Sequence, residues 1–210
     1  LRTAFARIDP WSVGAGLRTI YRRYAERHGK DRWGDKTPRH GAHMDAIQRA
    51  LPEARFIHII RDGRDVAASV RGLGFAPGDG SIADAAGDWR ATIAATRAVA
   101  QRVTHYTEIR FERLVTDPEA SLRELCAFLE LEFDPLMLAA HRHAAERFAE
   151  LPVERPEGAG FVTREARMAL HRHTRRPPDP ERVGRWRATL SPPEVAAFDA
   201  VAGAALVELG

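Results

Sequence analysis

The sequence predicts an α/β domain with a mostly parallel sheet, and three features carry that expectation. Arg55-Phe56-Ile57-His58-Ile59-Ile60 is a compact apolar run with β-branched residues, the pattern of a buried parallel strand. His105 to Phe111 is a second strand candidate. Around these runs lie segments whose apolar residues recur at helical spacing, so strands alternate with helices.

The helical segments have readable ends. Val13, Leu17, Ile20, Tyr21 and Tyr24 share a helical period between Trp11 and His28, and Gly29 is a natural stop. The chain must turn at Arg32-Trp33-Gly34-Asp35-Lys36-Thr37-Pro38, because a residue before proline avoids the helical region. His40 to Leu51 reads as a helix closed by Pro52. After the first strand, Arg61-Asp62-Gly63-Arg64 is a turn, and Asp65 to Arg71 is a helix ended by Gly72 and Gly74. Ala76 to Ser81 is a loop, and the alanine-rich run from Ile82 to Val103 is helical. Asp117-Pro118-Glu119 places a cap and a proline where a helix should start, and that helix runs through Leu129. Pro135 to Phe148 is a further helix, Leu151 to Pro180 an irregular segment, and Ser191 caps a last amphipathic helix.

Composition bounds the function. The chain has 210 residues, 44% hydrophobic and 29% charged, which suits one globular domain over residues 1–210. With 32 basic against 29 acidic residues the formal net charge is +3, and the basic side is rich in arginine, whose planar fork suits phosphate. No aromatic-interleaved basic stripe points to nucleic acid. Cys126 is the single cysteine, so an intrachain disulfide and a cysteine-built metal site are both excluded. The histidine pairs His40/His43, His141/His143 and His171/His173 lack an evident third ligand, and no metal is expected. No apolar run reaches the ~20 residues of a membrane span, and no signal peptide opens the chain, so a cytoplasmic location is the expectation.

The chemistry concentrates in Phe56-Ile57-His58-Ile59-Ile60-Arg61-Asp62-Gly63-Arg64-Asp65-Val66-Ala67-Ala68-Ser69. Arg61 stands at the carboxyl end of a predicted strand, where open α/β sheets place ligands, and the following helix offers N-terminal amides to an anion. The residues alone serve a structural role equally: Asp62 or Asp65 as a helix cap, Arg61 in a salt bridge, Ser69 incidental.

This stretch resembles the 3′-phosphate-binding element of sulfotransferases that use 3′-phosphoadenosine 5′-phosphosulfate (PAPS), in which a strand ends in arginine and a serine follows eight residues later. Arg61 and Ser69 match those positions. Asp35-Lys36-Thr37-Pro38 is similar to the family's Lys-Thr-Pro or Lys-Thr-His segment. Phe111-Glu112-Arg113-Leu114 with Asp117-Pro118-Glu119 resembles its Tyr-Glu-Asp-Leu…Asp-Pro-Glu stretch, and Gly184-Arg185-Trp186 with Leu190-Ser191 its basic tail. The nearest branch in appearance is bacterial, itself similar to Golgi and heparan-type enzymes.

The resemblance implies a P-loop-like parallel sheet flanked by helices and transfer of a sulfuryl group to a hydroxyl or amine. Arg61 and Ser69 would hold the donor's 3′-phosphate, with Phe111, Gly184 and Arg185 near the nucleotide. Lys36 would approach the sulfuryl group. The resemblance gives no base at Pro38, and among the neighbours Asp35, His40 and His43 we take Asp35 as the candidate. PAPS is the implied donor and the bisphosphate (PAP) the product, with no metal. The acceptor is left open among small molecules, carbohydrates, peptides and lipids, with Ala76–Gly80 and Leu151–Pro180 as candidate recognition segments.

The sequence departs from the family in three places. It contains no glycine-rich phosphosulfate loop, which with the non-methionine Leu1 leads us to expect an N-terminally truncated chain that alone turns over little or nothing. Pro38 stands where many relatives have a catalytic histidine, and Phe111 where many have tyrosine. The alternative expectation is an inactive, sulfotransferase-like nucleotide- or protein-binding module.

Overall fold

The computed structural model describes residues 5, 6, 8–73, 80–144, 146 and 172–210. The fold is a helix-rich α/β arrangement around a small parallel sheet of two strands, β1 (Phe56–Ile60) and β2 (Tyr106–Arg110). The chain divides into two compact units, Leu1–His58 with Thr92–Tyr106, and Ile59–Ala91 with Thr107–Gly210.

In the first unit, helix α1 (Val13–Arg27) begins where Ser12 Oγ accepts the amide of Ala15 at 3.1 Å. It stops at Gly29, whose φ of +62° is a backbone that favours glycine. Arg18 fastens α1 to the loop before β1 through a two-pronged pair with Glu53 at 2.5 and 2.7 Å. The expected helix from His40 is instead a 3-10 turn, Pro38–His43, leading into α2 (Met44–Ala50). Proline at the first position sets φ but leaves the tighter pattern open, and Gly41 within the turn weakens any preference for an α-helix. Met44, Leu51, Ile93 and Val99 are buried in this unit.

The second unit starts with the end of β1 and α3 (Gly63–Leu73), two residues longer at its start than the sequence indicates. Asp62 is the cap: its Oδ1 accepts the amide of Arg64 at 2.8 Å. Helix α4 (Ile82–Ala100) gives this unit Ile82, Ala85, Ala86 and Trp89, all buried. After β2 the chain turns at once into α5 (Phe111–Thr116), where the sequence had suggested that Phe111 still belonged to the strand. Next is α6 (Pro118–Leu129), capped by Asp117, which accepts the amide of Ala120 at 3.3 Å. The segment expected as a helix from Pro135 is a 3-10 stretch, Pro135–His143, kinked at Ala139; its expected continuation to Phe148 lies almost wholly outside the described residues.

The C-terminal part holds α7 (Trp186–Thr189) and α8 (Pro192–Leu209). Helix α8 opens with a reciprocal capping box between Ser191 and Glu194. Its Phe198 is fully buried and meets the Trp89 ring with centroids 5.9 Å apart, above the start of α3. That packing anchors the turn carrying Arg61, because Trp89 Nε1 donates to the Arg61 carbonyl at 3.1 Å. Among the described residues, no helix is long and apolar enough to cross a membrane.

Candidate functional site

An Ile-Arg pair stands at the carboxyl end of both strands: Ile60 closes β1 with Arg61 just past it, and Ile109-Arg110 closes β2. The isoleucines are buried and each arginine emerges half-buried at the carboxyl edge. This is the edge where a parallel sheet leaves backbone and side chains open to a ligand. A shared carboxylate links the two strand ends. Glu112, in the first turn of α5, accepts the amide of Asp62 through Oε1 at 2.7 Å, and its Oε2 lies 3.3 Å from Arg110 Nε.

Arg61 is engaged on several sides. Its Nη2 donates to the carbonyl of Arg182 at 3.0 Å and sits 3.6 Å from Asp65 Oδ2, while its Cζ lies 4.8 Å from the centre of the Phe111 ring. Arg61 Nε and Arg110 Nη1 are buried without a hydrogen-bond partner. Buried guanidinium N–H groups left unmatched are costly, so this edge offers donors suited to an anion.

The sequence left Asp62 and Asp65 as alternative caps, and the structure separates them. Asp62 caps α3 and pairs with Arg64 at 2.8 Å. Burial works to raise its carboxyl, but hydrogen bonds from the Arg64 side chain and amide, with the charges of Arg64 and Arg110, outweigh it and hold Asp62 below the ordinary carboxylate range. Asp65, 2% exposed, reaches a segment over a hundred residues away: its two oxygens accept the amides of Gly184 and Trp186, each at 2.8 Å.

The residues expected around the nucleotide therefore partly gather in the second unit. Phe111 underlies Arg61, and Gly184 joins the cluster through Asp65. Gly184 has φ +70°, a turn that a side chain would strain, and its amide is already committed to Asp65. Arg185 beside it is exposed. Ser69 is half-buried on α3, four residues after Asp65 and so on the same helical face. Arg110 and Asp65 are the contributions that the sequence reading missed. For Arg110 the repeated Ile-Arg at a strand end was the available signal; for Asp65 there was none.

Asp35 and Lys36 belong to the first unit. Asp35 accepts the Tyr21 hydroxyl at 3.0 Å and the Thr37 hydroxyl at 2.8 Å, and His40 Nδ1 lies 3.3 Å away. Tyr21 in turn stacks on Trp33, with centroids 4.3 Å apart. Burial first, then the bond to Asp35 and its charge, hold the Tyr21 phenol above its ordinary range. The carboxylate is thus oriented by hydroxyls, and the neighbouring Lys36 is exposed. Among the described residues, no group of three or more His, Cys, Asp or Glu side chains is placed to hold a metal ion. The loop from Ala76 and most of Leu151–Pro180, expected to meet an acceptor, lie outside the described residues.

Comparison with known proteins bears on this arrangement. Residues 9–135 match the profile of the family described as "Sulfotransferase family". Among solved structures, the "Sulfotransferase Domain from the Curacin Biosynthetic Pathway" is similar in fold, with a TM-score of 0.56 and 18% identity over 88% of this chain. The chain spans 66% of that structure's length. No curated protein matches the sequence.

Proposed function

Because the chain belongs to the sulfotransferase family, we propose that it takes part in sulfuryl transfer from PAPS and that its second unit holds the donor's 3′-phosphate through Arg61 and Ser69. The observation that carries this reading is Arg61 itself. It is a half-buried guanidinium at the carboxyl end of a parallel strand, with Nε–H unmatched and Ser69 on the helix that follows. Arg110, at the end of the neighbouring strand, adds a second unmatched donor at that edge.

The donor group suits these residues chemically. A 3′-phosphate offers several oxygens to guanidinium N–H groups and a serine hydroxyl, and charge-assisted hydrogen bonds of this kind are the strong ones. When bound, the donor supplies the sulfuryl group and a phosphate leaving group. Phe111 holds the Arg61 guanidinium over its ring, which limits the side-chain freedom lost on binding.

Lys36 takes the role that family resemblance gives it, and Asp35, beside it in sequence, is the candidate base. Lys36 would place a cation where charge develops as the sulfuryl group departs. Asp35, oriented by Tyr21 and Thr37, would accept the proton of the attacking hydroxyl or amine. The acceptor is a small molecule, a carbohydrate or a peptide.

Calorimetry of the full-length protein with adenosine 3′,5′-bisphosphate, followed by a sulfuryl-transfer assay with PAPS, tests the proposal. It expects binding that Arg61→Ala weakens by at least roughly tenfold, the scale of a lost hydrogen bond to a charged group. Bisphosphate affinity untouched by Arg61→Ala refutes the assignment of the site. Binding without any transfer refutes the enzymatic part and leaves a nucleotide-binding module.

A further inference from the structure

The first turn of α3 grips the C-terminal segment around Gly184 more heavily than any capping role requires. Arg61 Nη2 holds the carbonyl of Arg182, and Asp65 holds the amides of Gly184 and Trp186. Arg64 lays its guanidinium over the Trp186 ring, with Cζ 4.0 Å from the centroid, and Arg187 approaches the same ring at 4.7 Å. Farther along α3, Arg71 donates to the Thr189 carbonyl at 3.3 Å and pairs with Glu194. Residues 182–194 are therefore a strap sewn along α3, and Asp65 is the buried stitch at its tight turn.

Burial makes that stitch informative. A polar side chain 2% exposed must find its hydrogen-bond partners inside the protein, and two backbone amides, with Arg61 nearby, provide them here. The same oxygen that receives the Gly184 amide, Oδ2, is the one facing Arg61 Nη2. Asp65 thus couples two things at one atom: the strap's turn and the Nη2 group of Arg61.

We infer that Asp65 is a positioning residue for the donor site: by holding the Gly184–Trp186 strap it fixes the Arg182 carbonyl, and between them they aim the Arg61 guanidinium at the 3′-phosphate. Asp65 does not touch the donor. This rests on the reading of Arg61 as the 3′-phosphate ligand, and it makes the grip on that phosphate depend on a residue outside the pair Arg61 and Ser69.

Two readouts in the full-length protein test it. One is the ratio of affinities for adenosine 3′,5′-bisphosphate and adenosine 5′-monophosphate, which differ only in the 3′-phosphate. The other is tryptic cleavage of the Arg185–Trp186 bond, whose amide nitrogen is the one bonded to Asp65. Asp65→Asn keeps the size of the side chain while removing its charge and one acceptor. It is expected to lower bisphosphate affinity on the order of tenfold, leave monophosphate affinity within about twofold, and speed cleavage at Arg185 on the order of tenfold. Gly184→Ala strains the same turn without altering α3 and is expected to act in the same direction, which keeps the inference testable if Asp65→Asn folds poorly. A wild-type protein with no preference for the bisphosphate refutes the donor-site reading and this inference with it. A wild-type preference that survives in both variants refutes the inference alone. An equal fall for both nucleotides also overturns it, because that is general loosening of the fold.

Discussion

Gly63→Ala decides whether the turn after β1 is held by packing or only by its helix. Gly63 is the first residue of α3, where an alanine in open space would help, since glycine is less favourable than alanine in a helix by roughly 0.5–1 kcal/mol. Its surroundings predict the opposite. A Cβ there would lie 2.5 Å from Phe198 Cζ and 2.5 Å from Trp89 Cδ2, with Trp89 Cε2 at 2.8 Å. Carbon atoms rest about 3.5–4.0 Å apart, so one of the rings or the backbone must move by roughly 1 Å. Neither ring has room: Phe198 is 0% exposed and Trp89 8%. Overpacking of this kind costs about 1–3 kcal/mol. A displaced Trp89 also weakens its bond to the Arg61 carbonyl, worth about 1 kcal/mol. Set against the helix gain, the net expectation is a loss of about 2 kcal/mol, or a melting temperature lower by about 4–8 °C for a chain of this size. Bisphosphate affinity should fall too, because the Arg61 backbone moves. Thermal denaturation followed by circular dichroism measures the first effect and calorimetry the second. A variant that melts at or above the wild-type temperature would show that the Phe198–Trp89 lid does not constrain the turn, and the account of how Arg61 is placed would be wrong.

Two further predictions concern a half-buried and a buried polar group. Asp62 has its carboxyl depressed in the folded state, so its contribution to stability is present above the unfolded value, about pH 4, and is lost as pH falls through the lower folded value. Asp62→Asn preserves a good helix cap but not the charge; the stability gap between wild type and variant, from urea denaturation, should therefore be largest at neutral pH and close below about pH 4. A gap that does not change with pH would contradict the ion-pair account. Ser121, fully buried on α6, has a hydroxyl without a hydrogen-bond partner. Ser121→Ala should raise stability by about 1 kcal/mol in the same assay, and a clear loss would mean that the hydroxyl is satisfied in solution.

Much of the fold was legible because its signals are local. Ser12 and Gly29 bracket α1, Asp117 and Pro118 start α6, and Ser191 with Glu194 opens α8; each is a backbone requirement met by a residue within three positions of it. The apolar run at Phe56–Ile60 likewise identifies itself as a strand, and Tyr106–Arg110 falls within the second strand candidate. What escaped depends on distant partners. Phe111 has strand-like chemistry, yet it starts a six-residue helix, too short to form by propensity alone and held in place by α6 and the Pro180–Arg182 turn. The tight turn at Pro38–His43 likewise contradicts a helical period. In the site, Arg61 was readable from its place at a strand end. Asp65 was not, because one aspartate in a first helical turn looks like a cap or a dipole partner wherever its side chain goes, and its two amide partners lie 119 and 121 residues away.

The most direct test of the account is a crystal structure of the full-length protein with adenosine 3′,5′-bisphosphate bound. The account predicts the 3′-phosphate oxygens within hydrogen-bonding distance, about 2.7–3.2 Å, of the Arg61 guanidinium and the Ser69 hydroxyl at the carboxyl edge of β1. A nucleotide bound elsewhere, or one whose 3′-phosphate faces solvent while Arg61 keeps only its protein partners, would contradict it.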